Sequence, residues 1–153
     1  MSFSTSERYG YVLTIEERYW NRLCKQNEAG KAQQAYVSSG DILRDHVKVI
    51  FFYSVRPFSQ ILGYADLIER KTGDPAKLWT DHEHETIFKS FEEYQLVTRG
   101  KPRVSLIRFQ NFHQGSEVIP LEEFSAILGA ERMSQTGMYV DKTQAMKLIE
   151  LLE

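Results

Sequence analysis

The sequence predicts an α+β fold, a small mixed and mainly antiparallel β-barrel with helices packed around it. Three observations carry this. From Val47 to Tyr53 only Lys48 interrupts an apolar, β-branched and aromatic run, which suits a central strand buried on both faces. "QILGYADLIER" follows across a short connection, so the two strands pair as a hairpin, and its Gly63 signals a bulge that curls the sheet. Helix signals lie scattered among the strands, without the regular strand–helix alternation or glycine-rich phosphate loop of a doubly wound sheet. A chain of 153 residues closes one core, so residues 1–153 read as a single domain, with 1–8 a flexible polar lead.

Each element has its own signal. "YGYVLTI" is a short β-rich run. Thr14 and Glu17 then form Thr-x-x-Glu, a capping box, and Tyr19, Trp20, Leu23 and Cys24 recur at helical spacing as far as about Glu28. "EAGKAQQAYV" turns at Gly30 and extends towards Tyr36, and "SSGD" is a turn. "SVRPFS" is a connection or an edge, because Pro57 donates no hydrogen bond and keeps Arg56 extended. "GDPAKLW" predicts a short helix begun by Asp74 with Pro75 in its first turn. Ser90 and Glu93 launch another, stopped by Gly100. "PRVSLIRFQNF" is the third long strand, ended by a turn at "HQGSE". A helix, "LEEFSAIL", closes at Gly129, and "GMYV" is a last short strand. Asp141 and Gln144 cap a final helix whose Ala145, Leu148, Ile149 and Leu152 form a stripe suited to covering the barrel end.

Composition narrows the function classes. Hydrophobic residues make up 42% and charged residues 26%, the balance of a globular protein rather than a disordered tail. The apolar runs are too short to span a bilayer, and "MSFSTSERYGYV" lacks the basic head and apolar middle of a signal peptide, so a cytoplasmic location without membrane association is expected. Cys24 is alone, which excludes an internal disulfide and a thiolate zinc cluster and suits a small core residue. A net charge of -2 argues against coating nucleic acid by bulk charge, yet charge is segregated. "RGKPRVSLIR" carries Arg99, Lys101, Arg103 and Arg108 with no acid, whereas "DHEHETIFKSFEE" is mostly acidic. In "DHEHE", His82 and His84 lack a third metal ligand, so the stretch reads as an exposed polar loop. No triad, nucleophile elbow or zinc-protease helix is present, and no cofactor is expected.

Strand, helix, "GK" turn, strand, then "VIFFYS" and "ILGYADLIE" with its Ile-x-Gly-x-Ala: this order resembles the PUA-like superfamily, which includes the PUA, ASCH, EVE and YTH domains. "SFEEYQLVTRG" and the closing "TGMYVDKTQAMKLIELL" are similar to a small, mostly archaeal PUA-like family that is uncharacterised. The resemblance runs from about Tyr11 to the end. It implies RNA binding, with one base, sometimes a modified one, seated in a cleft beside the barrel.

On that resemblance the strand ending at Tyr53-Ser54 delivers aromatic and polar groups to the cleft rim, and Arg56 stands to meet a phosphate or a base edge. Tyr53 and Tyr36 are the expected stacking rings, with Tyr139 behind them; Ser54 and Gln34 would hydrogen-bond, and Lys31, Arg56 and Arg103 would supply positive charge. In ASCH relatives a Gly-x-Lys turn leads into a strand bearing Glu and Arg that face the cleft, and some of them hydrolyse an amide on acetylated cytidine with Lys, Thr and Glu. Here Gly30-Lys31 supplies the turn, Gln33 or Gln34 stands where the acid would fall, and Tyr36 stands near the arginine. Without that carboxylate the same hydrolysis is not expected, since glutamine is no base. The geometric expectation is a closed barrel whose open side gathers Lys31, Tyr36, Tyr53 and Arg56. The partner is RNA or a nucleoside-like ligand; an enzyme or sensor for a modified nucleoside and a protein-interaction module are the alternatives. Oligomeric state is left open.

Overall fold

The computed structural model describes residues 8–38, 42–54, 59–129 and 137–153. Six strands, β1 (Gly10–Ile15), β2 (Gln33–Ser38), β3 (Val49–Ser54), β4 (Gln60–Gly73), β5 (Val104–Pro120) and β6 (Met138–Val140), form one sheet in the order β2-β5-β4-β3-β1-β6. Five helices accompany them: α1 (Glu17–Glu28), α2 (Pro75–His82), α3 (Phe91–Thr98), α4 (Leu121–Leu128) and α5 (Lys142–Leu152). Among these six strands β1 and β3 pair in parallel, and the other ladders are antiparallel. Among the described residues no ladder joins β2 to β6, so the sheet is open rather than the closed barrel expected. No helix among them is long and apolar enough to cross a membrane.

All six residues of β3 are buried, because both faces of the sheet carry a core. Ile50 and Phe52 face one side with Leu13, Phe109 and the α1 residues Trp20 and Leu23. Val49, Phe51 and Tyr53 face the other with Val12, Phe124 of α4 and Leu148 of α5. Gly63 is where the curvature concentrates. The β3–β4 and β4–β5 registers both shift beside it. A Cβ there would lie 2.3 Å from the His113 carbonyl oxygen and 2.7 Å from Trp20, an approach only glycine permits.

The expected caps at Asp74, Ser90 and Asp141 are present. Asp74 accepts from the Lys77 N–H at 3.0 Å, and Ser90 from the Glu93 N–H at 3.2 Å. At α5 both halves of the capping box form, Gln144 N–H to Asp141 at 2.7 Å and Asp141 N–H to Gln144 at 2.9 Å. Asp141→Ala is expected to cost about 1 kcal/mol of stability in urea unfolding, with Asp141→Asn restoring most of it.

Two local expectations fail for physical reasons. Thr14 does not cap α1; it stays in β1 opposite Tyr53, and the helix starts after Glu16, whose side chain makes no capping bond. The β1–β3 ladder therefore overrides the capping-box signal. The "HQGSE" stretch does not end its strand either. It lies inside β5, where Gln114 pairs with Gly63 and Ile119 with Ile61, so β5 advances five residues while β4 advances two. The turn chemistry read from the sequence serves a bulge. Cys24 is buried and its thiol is pushed up to about 11 by desolvation, which suits packing rather than nucleophilic chemistry.

Candidate functional site

Lys31 follows Gly30 at the turn between α1 and β2, and the turn is fixed by its backbone N–H donating to Gln26 O at 3.0 Å. Its half-buried ammonium lies close enough to Glu85 to feel its charge. Burial lowers the lysine pKa, and Glu85 opposes that shift. No hydrogen bond joins the ammonium to another described residue.

Glu85 arrives from the segment after α2. The Ala35 N–H donates to its carbonyl at 2.9 Å, and Ala35 forms a parallel bridge with Thr86, so this segment lies against the outer edge of β2. Its carboxylate is gripped on both oxygens by Arg108 of β5, through Nε and Nη2, each at 2.9 Å. The Arg108 fork also pairs with Glu69 of β4 and donates to Gln33 Oε1 of β2 at 3.3 Å. Behind Glu85, His82 Nδ1 lies 3.0 Å from its Oε1, while Lys71 Nζ lies 3.0 Å from His82 Nε2. A neutral imidazole protonated on Nδ1 satisfies both contacts, donating to the glutamate and accepting from the ammonium. The bonds from Arg108 first, and from His82 in addition, hold the Glu85 carboxyl below its ordinary range despite burial.

The expected site residues divide. Lys31 belongs to this charged network. Gln34, expected to read a base edge, is 1% exposed and its Nε2 donates to Leu23 O at 3.2 Å. Tyr36 is half-buried on the side of β2 that faces α1, its ring 6.2 Å from that of Tyr19, and burial raises its pKa. Glu16 and Arg18 act on it electrostatically, and Arg18 lies 4.6 Å over the Tyr19 ring. Ser54 is buried at the end of β3 opposite Ile15, the residue before Glu16, so Ser54 and Tyr36 both border the start of α1. Lys31 lies near the other end of that helix.

Tyr53 is not a rim residue. Side chains alternate along a strand, and this ring faces the second core, edge-on to Phe124 at 5.3 Å and 88°. Arg103 is exposed and donates to Thr72 Oγ1 at 3.0 Å. It precedes the Ser38–Ser105 pair, whereas Lys31 precedes the Gln33–Gln110 pair, so the length of β2 separates them. Arg56 lies outside the described residues. The structure therefore does not gather Lys31, Tyr36 and Tyr53 in one pocket.

Glu85 and Glu69 were not singled out in the sequence, and Arg108 and His82 were read only as parts of a basic run and a polar loop. His82 and Glu85 are 8% and 7% exposed, so "DHEHE" is not wholly the polar loop expected; only Asp81, Glu83 and His84 face out. The i, i+3 spacing of His82 and Glu85 was the available signal. Glu85 brings a carboxylate to the outer edge of β2, near Lys31.

No family model matches the chain, and no curated protein does. Solved structures do match. The ASCH protein of Zymomonas mobilis is similar with a TM-score of 0.77 at 20% identity, over 96% of this chain and 98% of that one. Its serine-to-alanine variant gives the same score and identity over 97% and 99%. With the ladder order and the bulged β4 already in place, this chain shares the fold of these ASCH structures.

Proposed function

We propose that the protein binds RNA laid along β2, with Lys31 and Gln33 meeting base or phosphate oxygens near the end of α1 and Tyr36 offering a ring face to a separate base near its start. One observation carries this reading: a half-buried ammonium, Lys31, held beside an ionised network without a hydrogen bond to any other described residue. An acceptor from outside would complete it. The ASCH-type fold supports the same reading. The separation of Lys31 from Arg103 along β2 suits an extended strand that crosses the sheet edge, phosphates setting register and one base setting choice. Crosslinking in cells followed by sequencing of the recovered RNA tests it. The expected result is RNA on the parent chain and several-fold less on a Lys31→Glu/Arg56→Glu variant; equal recovery would remove the proposal.

A second reading, hydrolysis of an amide on a modified nucleoside, has Glu85 in its favour, since its charge acts on the Lys31 ammonium. Against it, Glu85 is held ionised with both oxygens engaged by Arg108, which makes it a weak base. Incubation with acetylated cytidine distinguishes the two. Binding alone predicts no deacetylation above the rate of a Lys31→Ala variant.

A further inference from the structure

A cleft of about 390 Å³ lies between the start of α2 and the end of α3, lined by Asp74, Phe91, Gln95, Thr98, Arg99 and Lys101. Its volume falls in the range of about 300–1,000 Å³ typical of small-ligand pockets. Lys31, Gln33 and Tyr36, the proposed RNA contacts on and before β2, lie outside it.

Its walls are fixed. The Tyr94 hydroxyl donates to Pro75 O at 2.8 Å, which ties α3 to the first turn of α2. After α3 the backbone reverses at Gly100, whose φ of 75° is the left-handed conformation that glycine takes without strain. The Arg99 N–H donates to Gln95 O at 2.8 Å, and the Lys101 N–H to Thr98 O at 3.1 Å. The turn so pinned brings two cations to one margin of the cleft. On the α3 wall the Phe91 ring packs on Trp79 at 5.9 Å and Tyr94 at 6.2 Å, and being only partly buried it presents apolar surface to the cleft.

The polar groups differ in what they have left to offer. Arg99 and Lys101 are exposed, and no ion pair or hydrogen bond joins either side chain to another described residue. Guanidinium and ammonium are both phosphate donors. Two of them match the charge of about −2 on a phosphate monoester near neutrality, which a backbone phosphodiester, with one charge, does not reach. The Thr98 hydroxyl is spent on Tyr94 O at 3.1 Å. On the α2 wall one Asp74 oxygen accepts from the Lys77 N–H, and the other is left to accept. The Asp74 charge repels an anion and favours an N–H donor beside α2, and the exposed Gln95 amide both donates and accepts. A phosphate, a flat ring and N–H donors on one molecule describe a nucleotide with an amino-bearing base.

We propose that this cleft binds a nucleotide ending in a phosphate monoester, with the phosphate at Arg99 and Lys101 and the base against Phe91. A free mononucleotide and the phosphorylated end of an RNA strand offer this same chemistry, so the site stands whether or not RNA lies along β2.

Isothermal titration of the full chain with adenosine 5′-monophosphate, adenosine, inorganic phosphate and one short RNA with or without a 5′-phosphate tests this. If the source is the free nucleotide, the monophosphate binds about tenfold tighter or more than adenosine and inorganic phosphate; if it is an RNA end, the phosphorylated strand exceeds the bare one by as much. Arg99→Glu/Lys101→Glu is expected to remove that advantage, while Lys147→Glu, an exposed cation of α5 on the other face of the sheet, keeps it. Phe91→Leu, which retains an apolar contact for Trp79, is expected to weaken the preferred ester at least about fivefold through the lost stacking. No preference for either phosphate ester over its unphosphorylated counterpart, inorganic phosphate binding as tightly as the monophosphate, or equal effects of the two charge reversals would overturn it. RNA binding that falls with Lys31→Glu but ignores the end phosphate would overturn this site and leave the RNA reading standing.

Discussion

Arg108→Met is expected to lower the unfolding free energy by about 3–5 kcal/mol. Arg108 joins β2, β4, β5 and the segment after α2 through Gln33, Glu69 and Glu85. The Glu85 side chain is 9% exposed, so removing its partner leaves a charge that water barely reaches. The double variant Arg108→Met/Glu85→Leu should regain most of the loss, because replacing both partners removes the stranded charge. Acidity supplies an independent check. The folded-state pKa of Glu85 lies below its unfolded value of 4.5, so its contribution is present above that value and drains as pH falls through it towards the folded one. The gap between parent and Arg108→Met in urea unfolding should therefore be widest near neutrality and narrow in acid. A gap of constant width would show that Arg108 acts by packing alone.

Gly63→Ala is expected to destabilise by about 3 kcal/mol, at the upper end for an added methyl group. The new carbon would meet a backbone oxygen, His113 O at 2.3 Å, and a backbone carbon, Gln114 Cα at 3.3 Å, neither of which can rotate aside. Relief requires β4 and β5 to part where their register already shifts. Trp20, 2.7 Å from the added carbon, packs on Phe52 at 5.5 Å and Phe112 at 5.0 Å, so its near-ultraviolet dichroism should change with the midpoint. An unchanged midpoint and spectrum would mean that the bulge has slack.

The sequence was most readable where one residue determines one local geometry. Asp74, Ser90 and Asp141 cap the helices they were expected to cap, and Gly63 sits at the register shift its position in a strand suggested. It was least readable where a distant segment decides. Every side chain of β3 is apolar, aromatic or small, so its pattern cannot say which face of a sheet with two cores receives Tyr53. Thr14 had a sound capping pattern, but pairing with β3 held it in the strand. The polar run after Phe112 looked like a turn, and only the long partner β4 makes it a bulge. Glu85 was hidden for the same reason. A histidine and a glutamate three apart in an acidic run become a site only when the sheet brings Arg108 and Lys31 to them. ASCH-like order was legible from Tyr11 onward, whereas the closed cylinder has no support: among the described residues no ladder joins β2 to β6.

Fluorescence anisotropy of a labelled single-stranded RNA, titrated with parent and Lys31→Glu protein across a series of salt concentrations, tests the central claim most directly. The account predicts affinity for the parent that falls linearly on logarithmic axes as salt rises, and a slope smaller by about 0.7–1 for the variant, one phosphate contact having been removed. No binding at low salt, or identical slopes and affinities for the two proteins, would contradict it.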